Sequence, residues 1–191
     1  MTILLPGVQM QSPGGFNTSI KNGSVTPQTP VAATRTYLAG SALKVPPAGL
    51  QVGSRARWRF NATKTAAGTA ASTIDVAFGV NGTTADTAVV SFAKPAGTAA
   101  IDEAVFEVEV IVKSVSATGV LVGELVMLHN GNTTGHATIP VVVVLSTSSG
   151  FDNSSDTDAF IGLCITTGAA DAITIDYVDA SLDGLVDGAL E

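Results

Sequence analysis

AVFEVEVIVK, residues 104 to 113, changes side-chain character along most of its length with a period of two. Ala104, Phe106, Val108, Val110 and Val112 fall on one face, while Glu107, Glu109 and Lys113 fall on the other. That period belongs to an extended strand with one face in a core and one in solvent. RARWRF, residues 55 to 60, obeys the same rule, with Ala56, Trp58 and Phe60 interleaved among Arg55, Arg57 and Arg59.

Six more stretches read as strands: 72–80, 87–94, 120–130, 137–147, 158–168 and 172–182. Between them lie NGTTAD, SATG, HNGNTTGH and SSGFDNSSDTD, whose Gly, Asn, Asp, Ser and Thr favour turns. No long amphipathic helix competes, since the Ala-rich KTAAGTAAS carries Gly68 and two Thr. The expected class is all-β, and eight strands favour an antiparallel β-sandwich of jelly-roll type.

The chain has 191 residues, 46% hydrophobic and 13% charged, enough for one main domain. Its formal net charge of −7 repels a polyphosphate and argues against nucleic acid as a partner. Residues 1–113 hold nine Lys and Arg against six acids, a formal +3, and residues 114–191 hold ten acids and no Lys or Arg. The arginine stripe therefore reads as an ion-pairing face. Trp58 points into the core, away from any base it could stack on. Arg55, Arg57 and Arg59 are expected to meet Glu107 and Glu109, or the acidic C-terminal half, within one chain or across subunits. These five residues are the candidate subunit or partner contacts.

Residues 1–36 have a different texture, with Pro6, Pro13, Pro27 and Pro30 among Gly, Asn, Ser and Thr. They read as an extended arm that lies on a neighbouring subunit or partner, or else as a disordered tail. The sandwich is expected over 37–183 and an acidic tail over 184–191. MTILLPGVQM lacks a basic n-region, no run reaches the length of a membrane span, and Cys164 in AFIGLCI reads as a small buried hydrophobe. Synthesis in a cytoplasm is the simplest expectation, with no membrane partner.

Chemistry-bearing motifs are sparse. His129 and His136 flank GNTTG without a Cys pair to complete a zinc site, and no G-x-S-x-G, Walker loop or H-E-x-x-H occurs. Asp152, Asn153, Asp156 and Asp158 have oxygen atoms suited to calcium but lack the glycine and glutamate of an EF-hand loop. Six of the seven asparagines stand in N-x-[ST], read here as turn chemistry. Lys64-Thr-Ala-Ala-Gly-Thr-Ala-Ala and Lys94-Pro-Ala-Gly-Thr-Ala-Ala echo each other at the ends of two strands, where small side chains let backbones approach closely. No catalytic, metal or cofactor-binding residue is assigned, and the chain is not expected to be an enzyme.

The runs TYLAGSALKVP (36–46), GLQVGSRARWRFNATKTAAGTAASTIDVAFGVNGTTADTAVVSF (49–92), TTGH, TSSGFDNSS and IGLCITTGAADAITIDYVDASL (161–182) resemble a module of small virion proteins of tailed bacteriophages and prophages. The resemblance implies a jelly-roll structural protein that works as an oligomer. The expected function is a capsid decoration (cement) protein, a homotrimer bound to the major capsid protein on the virion exterior and synthesised in the host cytoplasm. The alternative is a tail-fibre, spike or head-fibre component that binds a host glycan. A third class, a glycan hydrolase, would need two facing carboxylates that the sequence does not single out.

Overall fold

The computed structural model describes residues 19–65, 68–129, 135–170 and 172–186. Among them the regular elements are all strands: β1 (Ile20–Ser24), β2 (Thr36–Tyr37), β3 (Leu43–Val45), β4 (Arg55–Lys64), β5 (Ser72–Gly79), β6 (Thr87–Lys94), β7 (Asp102–Ser114), β8 (Val120–His129), β9 (Val141–Thr147), β10 (Ala159–Thr166) and β11 (Ile173–Asp183). They form two antiparallel sheets, β1-β11-β4-β7-β8-β9 and β2-β10-β5-β6, with β3 also on β10. Partners on β10 show that β2 and β3 lie along one edge, interrupted at 38–42. Setting the β8–β9 hairpin aside leaves eight strands, counting β2 and β3 as one. In chain order they run 1-8-3-6 in one sheet and 2-7-4-5 in the other, the strand order of a jelly roll.

All eight strands expected from periodicity are present. The one expected over 137–147 starts only at Val141, after Pro140, whose nitrogen cannot donate to a ladder. Parity holds across the register. Phe60 pairs with Phe106 and Trp58 with Val108, and the two Phe rings stack with centroids 4.8 Å apart and planes 1° from parallel. Opposite them the other sheet buries Ile74, Val76, Phe92, Ile161 and Leu163. Trp58 satisfies its indole N–H on Ser41 O at 2.8 Å, in the interruption between β2 and β3. Ser41 Oγ in turn donates to Leu38 O at 2.7 Å and accepts Leu163 N at 3.0 Å, so a side chain completes the ladder that the interruption breaks.

The N-terminal stretch departs from the sequence reading. Residues 1–18 lie outside the described residues, but residues 20–36 are built into the sandwich. β1 pairs with β11 from Ile20↔Leu182 to Ser24↔Val178, and Gln28 and Ile175 exchange two backbone hydrogen bonds at 2.8 and 2.9 Å. IKNGS shows no apolar alternation because this edge strand is held mainly by its main chain, which every sequence supplies. Gly40, at φ 84°, closes against it: a Cβ there would stand 2.5 Å from the Gly23 carbonyl carbon. At the other end, Leu185 is buried and Val186 N donates to Gly49 O at 2.8 Å, so 184–186 are fastened to the domain. Residues 187–191 lie outside the described set.

Arg35 completes the join. Its Nε donates to both carboxylate oxygens of Asp75 at 3.1 and 3.2 Å, and its Nη1 to the carbonyls of Thr84 and Asp86, each at 2.8 Å. Asp75 is buried on the outer side of the second sheet, where an unpaired carboxylate is costly.

Two measurements check this packing. Phe106, 2% exposed, should lose about 3–5 kcal/mol of unfolding free energy on Phe106→Ala, whereas Glu107→Ala should cost less than about 1 kcal/mol in the same denaturant titration. Arg35→Ala, which strands Asp75, should cost about 3 kcal/mol. A chain shortened to begin at Thr36 should lose at least as much.

Candidate interaction surface

Registry brings the five predicted contact residues together on the outer face of the six-stranded sheet. β4 and β7 pair so that Arg57 faces Glu109 and Arg59 faces Glu107. Glu109 takes Arg57 Nε at 2.5 Å and Arg55 Nε at 3.2 Å, while Arg59 Nε lies 3.5 Å from Glu107. These pairs are intrachain. β11 flanks the arginines on the other side, with Asp179 opposite Arg59 and Asp183 opposite Arg55. Each pair is half exposed, so each adds about 0–1 kcal/mol. Their larger effect is electrostatic: carboxylates on both sides reduce the positive potential of the stripe.

Beyond Glu124 the same face turns apolar. β9 presents Val141, Val143 and Leu145 outward at 48%, 57% and 75% exposure, next to the exposed Leu128 of β8. Side chains of β7, β8 and β9 around Glu109, Val122, Glu124 and Leu145 line a shallow depression there. Sequence periodicity underestimates this patch, because VVVVL reads as an ordinary strand whose two faces look alike.

The histidines sit elsewhere, in a polar cluster closed from solvent at one end of the sandwich. Asp102 Oδ1 accepts Glu103 N at 2.9 Å and its Oδ2 accepts His136 N at 2.9 Å. His129 Nδ1 lies 2.8 Å from the same Oδ2, and both side chains are fully buried. His136 Nε2 donates to Ala62 O at 3.1 Å, and its ring meets Phe106 edge-on at 5.6 Å. His136 Nδ1 has no hydrogen-bond partner among the described residues.

The echoed lysines belong to this cluster. Lys64 and Lys94 are both buried. Lys64 Nζ donates to Thr65 O and Thr98 O at 3.2 and 2.9 Å, and Lys94 Nζ donates to Pro95 O and His136 O at 2.8 and 2.5 Å. Each ammonium thus caps the carbonyl of its own successor and one from another loop. The two echoes touch where Gly97 N donates to Thr69 O at 3.2 Å. Gly97 is required there, since a Cβ would fall 1.9 Å from Gly135 O. Lys64, Lys94 and Asp102 occupy the inward parity of their strands, and that parity is the sequence signal by which they can be found.

The remaining candidates are structural. Asn153 is buried, accepting Ser116 N and donating to Ser114 O, each at 2.9 Å. Asp152 is exposed and caps Ser154, and Asp158 pairs with Lys44 at 2.6 Å. The oxygen donors of this loop therefore do not converge. Cys164 is buried with its thiol pushed up to about 12 by burial and then by Asp75, so it is unreactive at neutral pH. Among the described residues Trp58 and four Phe side chains are buried, while Tyr37, Phe151, Phe160 and Tyr177 are partly buried.

No protein-family model matches the chain, and no curated protein matches it by sequence. Among solved structures it is similar to arcelin-5, a lectin-like defence protein from Phaseolus vulgaris, at 8% identity, over 87% of this chain and 98% of that one, with a TM-score of 0.41. Lectin I-B4 from Griffonia simplicifolia, in its metal-free form, is similar at 8% identity over 86% and 99% of the two chains, with a TM-score of 0.36. The CBM2 module of the evolved Dit of Lactobacillus casei BL23 phage J-1 follows at 7% identity over 87% and 97%, with a TM-score of 0.28. At these values the likenesses carry nothing about what this chain binds.

The buried imidazole yields a pH prediction. Burial first, then Lys94, lowers the pKa of His136 from 6.5 to about 4, with Ala62 O and Asp102 opposing and His129 adding to the shift. Between those values the unfolded chain takes up a proton that the folded chain excludes. The stabilisation is complete above pH 6.5 and is lost as pH falls toward 4, by about 2 kcal/mol at pH 5 relative to pH 7. Unfolding of wild type and His136→Asn at the two pH values checks this: the variant should lose most of the difference.

Proposed function

We propose that the chain is a structural protein of a bacteriophage virion, a decoration protein that attaches to the outer capsid surface as an oligomer and stabilises the shell. The observation that carries this reading is the outer face of the six-stranded sheet. There a charge ladder satisfied within the chain runs into an uncovered apolar strip on a hairpin added to the jelly roll. A strip of this kind suits contact with another protein surface. Lys64, Lys94, Asp102 and His136 are enclosed and engaged in loop capping, so the chain has a binding rather than a catalytic role in this reading. Its site of action is the capsid exterior after synthesis in the host cytoplasm, with the major capsid protein as partner.

Mixing the full chain with capsids that lack their decoration protein tests the proposal. Saturable binding at hundreds of copies per particle, with a raised temperature of capsid disruption, is the expected outcome. Binding at a few copies on tails, or to host surface glycans with none on capsids, would overturn it.

A further inference from the structure

Sheet edges expose unpaired backbone groups, and proteins ordinarily blunt them with charge, proline or brevity. Three of the four edge paths follow that rule or come close to it. β1 is short and carries Lys21 and Gly23, the β2–β3 edge is interrupted, and β6 presents Thr87, Ser91 and Ala93. β9 does not. It has seven residues, VVVVLST, and no charged residue from Ile139 to Ser148.

The phase of the β8–β9 ladder shows which groups face outward. Ser148 N donates to Leu121 O, and His129 N to Pro140 O, so the even-numbered residues from 140 to 148 bond to β8. In an antiparallel pair the intervening residues, Val141, Val143, Leu145 and Thr147, then direct their N–H and C=O groups to the free edge. Val144 on β9 and Val89 on β6 are only partly buried against the core, and β9 and β6 adjoin across the two sheets.

We infer that β9 is a self-association edge, across which two copies of this chain pair antiparallel about a two-fold axis at Val144, joining their six-stranded sheets into one. In that register Val143 meets the partner's Leu145 and Val141 meets the partner's Thr147. Each of these is a hydrogen-bonded position on both strands, giving about eight main-chain bonds. A contact that is its own complement closes as a dimer and leaves no edge to propagate. Electrostatics permits it: the two Glu124 carboxylates stand three strand spacings apart, roughly 14 Å, beyond the ~8–10 Å screening length. Two paired seven-residue edges with these side chains bury on the order of 1,000 Å², the lower bound of a specific interface, which suits a micromolar dimer. The dimer differs from the homotrimer expected of a capsid decoration protein. It also stands independently of the virion reading, because it concerns the isolated chain.

Sedimentation of the full chain at about 100 µM and at a hundredfold dilution tests it. Wild type should approach twice the 19.2 kDa chain mass at high concentration and fall toward the single mass on dilution. Val143→Pro removes an edge N–H without touching the β8 ladder, and Leu145→Lys sets charge against the partner's Val143. Both should be monomeric at 100 µM with an unchanged far-ultraviolet spectrum. If the proline variant fails to fold, the lysine variant decides. A monomeric wild type would give the edge to a different partner and overturn the inference, as would wild-type mass retained in the folded variants or a threefold mass.

Discussion

One register, β4 against β7, holds the inner and outer faces of the main sheet in agreement. It stacks Phe60 on Phe106 inside while setting Arg57 on Glu109 and Arg59 on Glu107 outside. A slip of one residue would turn three arginines toward the core and expose Trp58, a change far larger than any ion pair could offset. Apolar burial therefore fixes the register, and the charge ladder is a consequence of it. The ladder's contribution lies in selecting against wrong pairings and wrong partners more than in stability.

The end of the sandwich poses a different problem, because three loops converge where no strand can pair their carbonyls. Lys64 and Lys94 extend two core-facing strand positions and supply compact ammonium groups to those carbonyls, while Asp102 answers the backbone N–H groups of Glu103 and His136. Buried charge is tolerable here because the groups are hydrogen-bonded and of opposite sign. The echoed K-x(1,2)-A-G-T-A-A segments are thus two copies of one capping device, with glycine where the backbones touch.

The β8–β9 hairpin widens one sheet beyond the jelly-roll order without a matching strand in the other. Its inner side chains Leu121, Leu125, Met127 and Val142 enter the core. Its outer side chains Leu128, Val141, Val143 and Leu145 are exposed. Apolar exposure and an unblunted edge coincide on this addition, whereas the other sheet edges are short, broken or polar.

Side-chain parity along each strand was legible in the sequence. Trp58, Phe60, Phe106 and Val108 had to share a face, and Lys64, Lys94 and Asp102 stand on that face too, although the sequence alone does not say that partners await them. Alternation is a property of neighbours along the chain, so it survives without knowledge of the fold. Which strands meet is decided by contacts distant in sequence. That IKNGS pairs with β11, that β11 places Asp179 and Asp183 beside the arginines, and that β9 ends a sheet with its outward N–H groups unpaired among the described residues are outcomes of topology. An edge strand is held largely by backbone hydrogen bonds, which leave no mark on composition, and a free edge is defined by the strand that is missing. For that reason the core could be read from the sequence, while the arm, the closed polar end and the candidate interface emerged only in three dimensions.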